Sequence, residues 1–64
     1  MSKQLPKELQ DEFMGWMEVY DHDDLPDGAW FATLEQAAEF FIGKHQLKGL
    51  HENDLAHFYI QQKG

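Results

Sequence analysis

Residues 6–20, PKELQDEFMGWMEVY, contain the clearest structural pattern in this sequence. At 100° per residue, the large apolar side chains of this stretch fall within an arc of about 100°, and most of its acidic side chains cluster on the opposite side. The apolar group consists of Leu9, Phe13, Trp16, Met17 and Tyr20. Pro6 suits a first helical position, where its missing N–H is not needed. The pattern therefore predicts an amphipathic helix over residues 6–20.

Gly15 is the unusual residue of this first helix, because glycine inside a helix costs about 1 kcal/mol relative to alanine. It lies on the acidic side, where core packing does not require a small residue. Two interpretations stay open. Gly15 is either a tolerated weak position or a place where the backbone of a partner approaches closely.

A second apolar stripe predicts a helix over residues 26–42 that ends at Gly43. Its members share an arc of about 140°. They are Trp30, Phe31, Leu34, Ala37, Ala38, Phe41 and Ile42. An alternative makes residues 28–32 extended, with Thr33 capping a shorter helix and Gln36 completing a capping box. The regular periodicity favours the longer helix.

The last apolar residues predict a third helix over residues 52–62, with Glu52 and Asp54 opposing the positive end of the helix dipole. A terminal strand over residues 56–60 is the alternative, since its Phe, Tyr and Ile favour sheets. No other segment alternates convincingly to pair with such a strand. The expected fold is therefore all-α: one domain over residues 1–64, three helices on one aromatic core, and frayed ends at 1–4 and 63–64.

Composition limits how this fold can be stabilised and where it works. The 64 residues contain no cysteine, which excludes disulfides and thiolate zinc sites, so apolar packing must suffice. Nine aromatic residues supply that packing. No apolar run approaches the roughly 20 residues of a membrane span, and nothing resembles a signal peptide. We therefore expect a cytoplasmic protein that does not enter membranes.

The charge balance constrains the partner. Twelve acidic residues against five Lys and no Arg give a formal net charge of −7. Nucleic-acid affinity comes mostly from Lys and Arg neutralising phosphates, so direct nucleic-acid binding is disfavoured. A helix-turn-helix interpretation fails for the same reason, because residues 53–62 contain no basic side chain except His57. A protein with a basic surface is the expected partner.

No residue pattern supports catalysis, a metal or a cofactor. An EF-hand begun at Asp21 places Pro26 at the required glycine, and one begun at Asp23 places Leu34 at the bidentate Glu position. No two of the four His lie at ligand spacing on one helix face. The hydroxyl nucleophiles besides tyrosine are Ser2 and Thr33, and no glycine-rich phosphate loop is present. We expect a protein that is not an enzyme and needs no cofactor.

Two surface features remain as candidate binding sites, and the first is acidic. Residues 1–27 contain eight acids and two Lys, a net charge of −6, whereas residues 28–64 have a net charge of −1. Carboxylates at this density resemble the phosphates of a duplex, which suits an inhibitor that mimics nucleic acid; the alternative is a solvated face that only keeps the protein soluble. The acidic group is Glu8, Asp11, Glu12, Glu18, Asp21, Asp23, Asp24 and Asp27.

The second feature is a surplus of apolar side chains over what a small three-helix core can enclose. Met14, Val19 and Phe40 are the residues expected at the surface. An exposed apolar patch marks self-association or a partner groove, so a homodimeric structural or assembly subunit is the alternative function. The chain's type, small, acidic and cysteine-free, also fits an accessory protein of a phage or mobile element.

Overall fold

A computed structural model describes residues 5–22 and 24–64 of the chain. Three helices follow one another, and we label them α1 (Lys7–Tyr20), α2 (Asp27–His45) and α3 (Glu52–Lys63). No strand occurs within those two ranges. The all-α three-helix prediction is thus confirmed. The expectations for residues 1–4 and for Asp23 lie outside the described residues.

The long helix α2 lies between the other two and packs against both. The polar contacts give its direction relative to α1. His45, the last residue of α2, contacts Glu12 in α1, whereas Trp30 near the start of α2 contacts Asp21, directly after α1. The two helices are therefore antiparallel, as expected for helices joined by a short loop.

The core consists of one buried cluster to which all three helices contribute. Phe13 and Phe41 meet edge to face with ring centroids 5.2 Å apart, a favourable arrangement for aromatic rings. Alanines at 37, 38 and 56 let the helix backbones approach, and Leu5 covers the cluster from outside α1. The buried residues are Leu5, Phe13, Met17, Leu34, Ala37, Ala38, Phe41, Leu55, Ala56 and Tyr59.

The end of α2 differs from the sequence-based prediction. Gly43 does not end the helix, which continues to His45 and is capped by Gln46 in the left-handed conformation, with φ 52°. The N–H of Leu47 then donates to the carbonyl of Ile42 at 3.0 Å, closing the last turn. Leu47 packs on the core immediately after this cap.

Both extended alternatives are wrong. Residues 28–32 are helical, and the Thr33 hydroxyl donates to the Ala29 carbonyl one turn earlier instead of capping a helix start. Residues 56–60 lie inside α3. Lys63 is the last helical residue of α3, and its ammonium group pairs with Asp21.

Gly15 gives a direct test of helix propensity within α1. It is exposed, and a Cβ added there would meet no atom within 4 Å. We expect Gly15→Ala to raise the free energy of unfolding by about 1 kcal/mol, because alanine restricts the unfolded chain without a steric cost. Urea unfolding followed by circular dichroism measures the change. An unchanged or lower stability would contradict this description of α1.

Candidate interaction surface

Most of the predicted acidic group is exposed. Four of its members lie on α1, and two lie at the entry to α2, where Asp24 belongs to the connecting loop and Asp27 begins the helix. We use the name acidic surface for these exposed carboxylates. They are Glu8, Asp11, Glu12, Glu18, Asp24 and Asp27.

The positions of these carboxylates follow from the amphipathic pattern. Phe13 and Met17 turn toward the core and are fully buried, so the opposite side of α1 faces solvent. Glu18 lies near the carboxyl end of α1, where a negative charge is unfavourable because that end of the helix dipole is also negative. Helix stability does not require a carboxylate there. The density of charge on this helix is thus not explained by the fold alone.

Glu12 is the member of the acidic surface that pairs with a described residue. Its carboxylate lies 2.7 Å from Nε2 of His45, at the α1–α2 seam. The Glu12 side chain is 50% exposed and the His45 side chain 23% exposed, so the contact contributes little to stability. Across residues 5–22 and 24–64, the other five carboxylates make no ion pair.

Asp21 was expected to belong to the exposed acidic group, and this expectation is wrong. Its side chain is only 4% exposed. The carboxylate accepts hydrogen bonds from Nε1 of Trp30 at 2.6 Å and from the hydroxyl of Tyr59 at 2.8 Å, and it pairs with the ammonium group of Lys63. Asp21 therefore connects the end of α1 to both other helices. We refer to these four residues as the Asp21 cluster.

The ionisation of the Asp21 cluster reflects this geometry. The hydrogen bonds from Lys63 and then Trp30 lower the pKa of Asp21 from its ordinary 3.8 to about 2, although burial acts in the opposite direction. Burial, followed by the bond to Asp21, raises the pKa of Tyr59. The same carboxylate raises the pKa of the Lys63 ammonium group. At neutral pH the cluster thus holds one carboxylate and one ammonium group in contact.

Sequence reasoning did not find the Asp21 cluster, although one signal was available. Trp30 and Tyr59 lie on apolar stripes, and the polar tip of a buried tryptophan or tyrosine needs a hydrogen-bond partner. That requirement indicates a hydrogen-bond acceptor near each ring but does not identify the residue that supplies it. Asp21 is 9, 38 and 42 residues away from its three partners, so only the tertiary structure identifies it.

The three apolar residues predicted at the surface behave differently. Val19 and Phe40 are 70% and 55% exposed, which confirms their predicted exposure. Met14 is half-buried and packs against the core, because the side of α1 that it occupies adjoins the buried cluster. The expectation that Met14 is exposed is therefore wrong.

An open groove of about 460 Å³ lies between the start of α1 and α3. Its walls combine apolar side chains such as Phe58 and Leu50 with amides such as Gln10 and Gln62. Among the described residues, no group of three or more His, Asp and Glu is placed to hold a metal ion. No described helix is both long and apolar enough to cross a membrane.

No protein family, no curated protein and no solved structure matches this chain. A function for the surface therefore has to be argued from its own exposure, charge and contacts.

Proposed function

We propose that this protein is a non-enzymatic interaction module whose acidic surface binds a basic surface of a partner protein. The observation that carries the proposal is the exposure of six carboxylates on α1 and at the entry to α2, five of which make no ion pair with a described residue. Such a surface attracts lysine and arginine side chains over a distance of several ångströms and accelerates association.

The partner surface that best fits this charge pattern is one that otherwise binds nucleic acid. A nucleic-acid groove is lined with Lys and Arg placed to neutralise phosphates. Exposed carboxylates at successive helical turns present a comparable series of negative charges. The protein would then act as an inhibitor that occupies the groove. A cytoplasmic location belongs to the same proposal, since a cysteine-free chain needs no oxidising compartment.

Capture of the partner from a lysate of the source organism tests this proposal. We expect a basic protein to be retained by the immobilised chain at about 50 mM salt and released at about 500 mM, because salt screens charge pairs. A variant with Asp11→Asn, Glu18→Gln, Asp24→Asn and Asp27→Asn should lose retention at low salt.

The chain offers a matched control for this variant. Residues 28–64 contain four acids, which are Glu35, Glu39, Glu52 and Asp54. Neutralising these four changes the net charge by the same amount as the four-site variant does. This control should retain the partner, because the acids that it removes lie outside the acidic surface. Retention that is insensitive to salt, or lost equally in both variants, would contradict the proposal.

A homodimeric assembly subunit is the second candidate function, and the exposure of Val19 and Phe40 favours it. Burying such side chains between two copies would enlarge a small core. Sedimentation equilibrium distinguishes the two candidates. A monomer at high micromolar concentration would contradict the dimer, whereas a stable dimer that buries these residues would favour it.

A further inference from the structure

We propose that the side of the α1–α2 pair turned away from α3 is a docking site for an amphipathic basic helix of the partner. This inference rests on the proposed function and names the kind of segment that the partner presents. Val19 and Phe40 are the exposed large apolar side chains of the described chain. We use the name outer face for these two residues together with Trp16, which lies at the seam between their helices, and Gly15, which lies beside Val19 on α1.

The contacts of each helix show that Val19 and Phe40 lie on the same side of the pair. On α1, Phe13 packs against Phe58 of α3, and Val19 lies roughly 120° around the helix from Phe13. On α2, Phe31 packs against His57 of α3, and Phe40 lies roughly 180° around from Phe31. Both exposed side chains therefore point away from α3.

Trp16 connects the two exposed residues across the seam between the helices. Its Nε1 donates to the Ala37 carbonyl of α2 at 2.9 Å, and its ring is half-buried. Val19 lies one turn beyond Trp16 on α1, and Phe40 lies one turn beyond Ala37 on α2. The ammonium group of Lys44 lies 5.0 Å from the centre of the Trp16 ring. The outer face thus has an aromatic ring and one lysine at its centre, with one exposed apolar side chain on each helix.

The shape of the outer face suits a helix. Gly15 adjoins Trp16 on the exposed side of α1, and nothing lies within 4 Å of where its Cβ would be. The small glycine lets a helix backbone approach closely, as the buried alanines do in the core. The open space at Gly15 is therefore consistent with the interpretation that the backbone of a partner approaches it closely.

The charges around the outer face select a basic helix over a second copy of this chain. Glu8, Glu12, Gly15 and Val19 follow one another at spacings of three and four residues, so carboxylates lie along α1 beside the outer face. The two carboxylates outnumber the one lysine at its centre, Lys44. Lysines beside the apolar stripe of a docked helix would meet them. A second copy would instead bring two chains of net charge −7 together.

Two synthetic peptides of equal length and equal lysine content test the inference, one a lysine–leucine amphipathic helix and the other with every leucine replaced by glutamine. Fluorescence anisotropy measures both affinities. We expect the wild-type chain to bind the lysine–leucine peptide about tenfold more tightly, because two large apolar side chains become buried. The double variant Val19→Ser, Phe40→Ser should lose this tenfold preference while still binding both peptides. Its substitutions are exposed, so circular dichroism should show an unchanged fold.

Two glycine variants provide a matched steric test. Gly15→Gln places a long neutral side chain on the outer face beside Val19 and should weaken binding of the lysine–leucine peptide about tenfold. Gly28→Gln makes the same change at another exposed helical glycine with no neighbour within 4 Å, roughly 120° around α2 from Phe40, and should leave the affinity unchanged.

The outcomes separate this inference from the proposed function. Binding of both peptides with equal affinity and a steep salt dependence would overturn the docking site and support the acidic surface. Failure to bind either peptide, or binding insensitive to salt, would overturn both. Sedimentation showing a dimer that Val19→Ser, Phe40→Ser dissociates would overturn the basic helix in favour of a second copy.

Discussion

Replacing Phe41 by alanine is expected to lower the free energy of unfolding by about 3–5 kcal/mol. Phe41 is fully buried on α2, and its ring packs against both Phe13 and Trp16 of α1. Truncation removes apolar burial and leaves a cavity at the seam that holds α1 in place. A domain of 64 residues has a total stability of about 3–10 kcal/mol, so the variant should be largely unfolded at 37 °C.

The neighbouring residue gives a control that differs only in its position. Phe40 is 55% exposed, and Phe40→Ala should change the free energy of unfolding by less than about 1 kcal/mol. Urea or thermal unfolding followed by circular dichroism compares the two variants. Equal losses, or a larger loss at Phe40, would show that the stripe of α2 is not turned toward the core as described.

Asp21→Asn should destabilise the protein by about 2–4 kcal/mol, an effect second to that of Phe41→Ala. The substitution removes the charge that pairs with Lys63 and weakens the acceptor of the bonds from Trp30 and Tyr59. Unfolding of Asp24→Asn is the control, because Asp24 is an exposed carboxylate near the same loop. A difference of less than about 0.5 kcal/mol between the two variants would contradict a structural role for Asp21.

The pH dependence identifies the ionised carboxylate as the source of this effect. The folded pKa of Asp21 is about 2, below its ordinary 3.8, so the unfolded chain binds the proton more readily. The stabilisation is therefore complete above about pH 4 and is lost as the pH falls toward about 2. The stability advantage of wild type over Asp21→Asn should shrink over this interval. A constant advantage down to pH 2 would contradict the shifted pKa.

Periodicity predicted the three helices because each has enough large apolar residues to define a face. The start of α1 and the end of α3 were each placed within one residue. The end of α2 was not, since Gly43 is a strong local stop signal that the packing of Leu47 overrides. Local signals fail where a tertiary contact outweighs them.

The surface was less predictable than the core for a related reason. Composition and spacing showed where the carboxylates cluster along the chain, and the exposed ones are where amphipathicity places them. Asp21 belongs to the same run of acids, yet its neighbours in space come from α2 and α3. Val19 and Phe40 were correctly expected at the surface because each falls off its stripe. Met14 was also expected at the surface, but its flexible side chain reaches the core from the edge of α1.

We distinguish the structural carboxylate Asp21 from the exposed carboxylates that we propose as a binding surface, and thermal unfolding at low salt tests that distinction most directly. The four-site variant of Asp11, Glu18, Asp24 and Asp27 should melt at or above the wild-type temperature, because removing like charges relieves repulsion. Asp21→Asn, a single change, should melt about 10 °C lower or more. A four-site variant with a lower melting temperature than Asp21→Asn would contradict this distinction. So would an Asp21→Asn variant with the melting temperature of wild type.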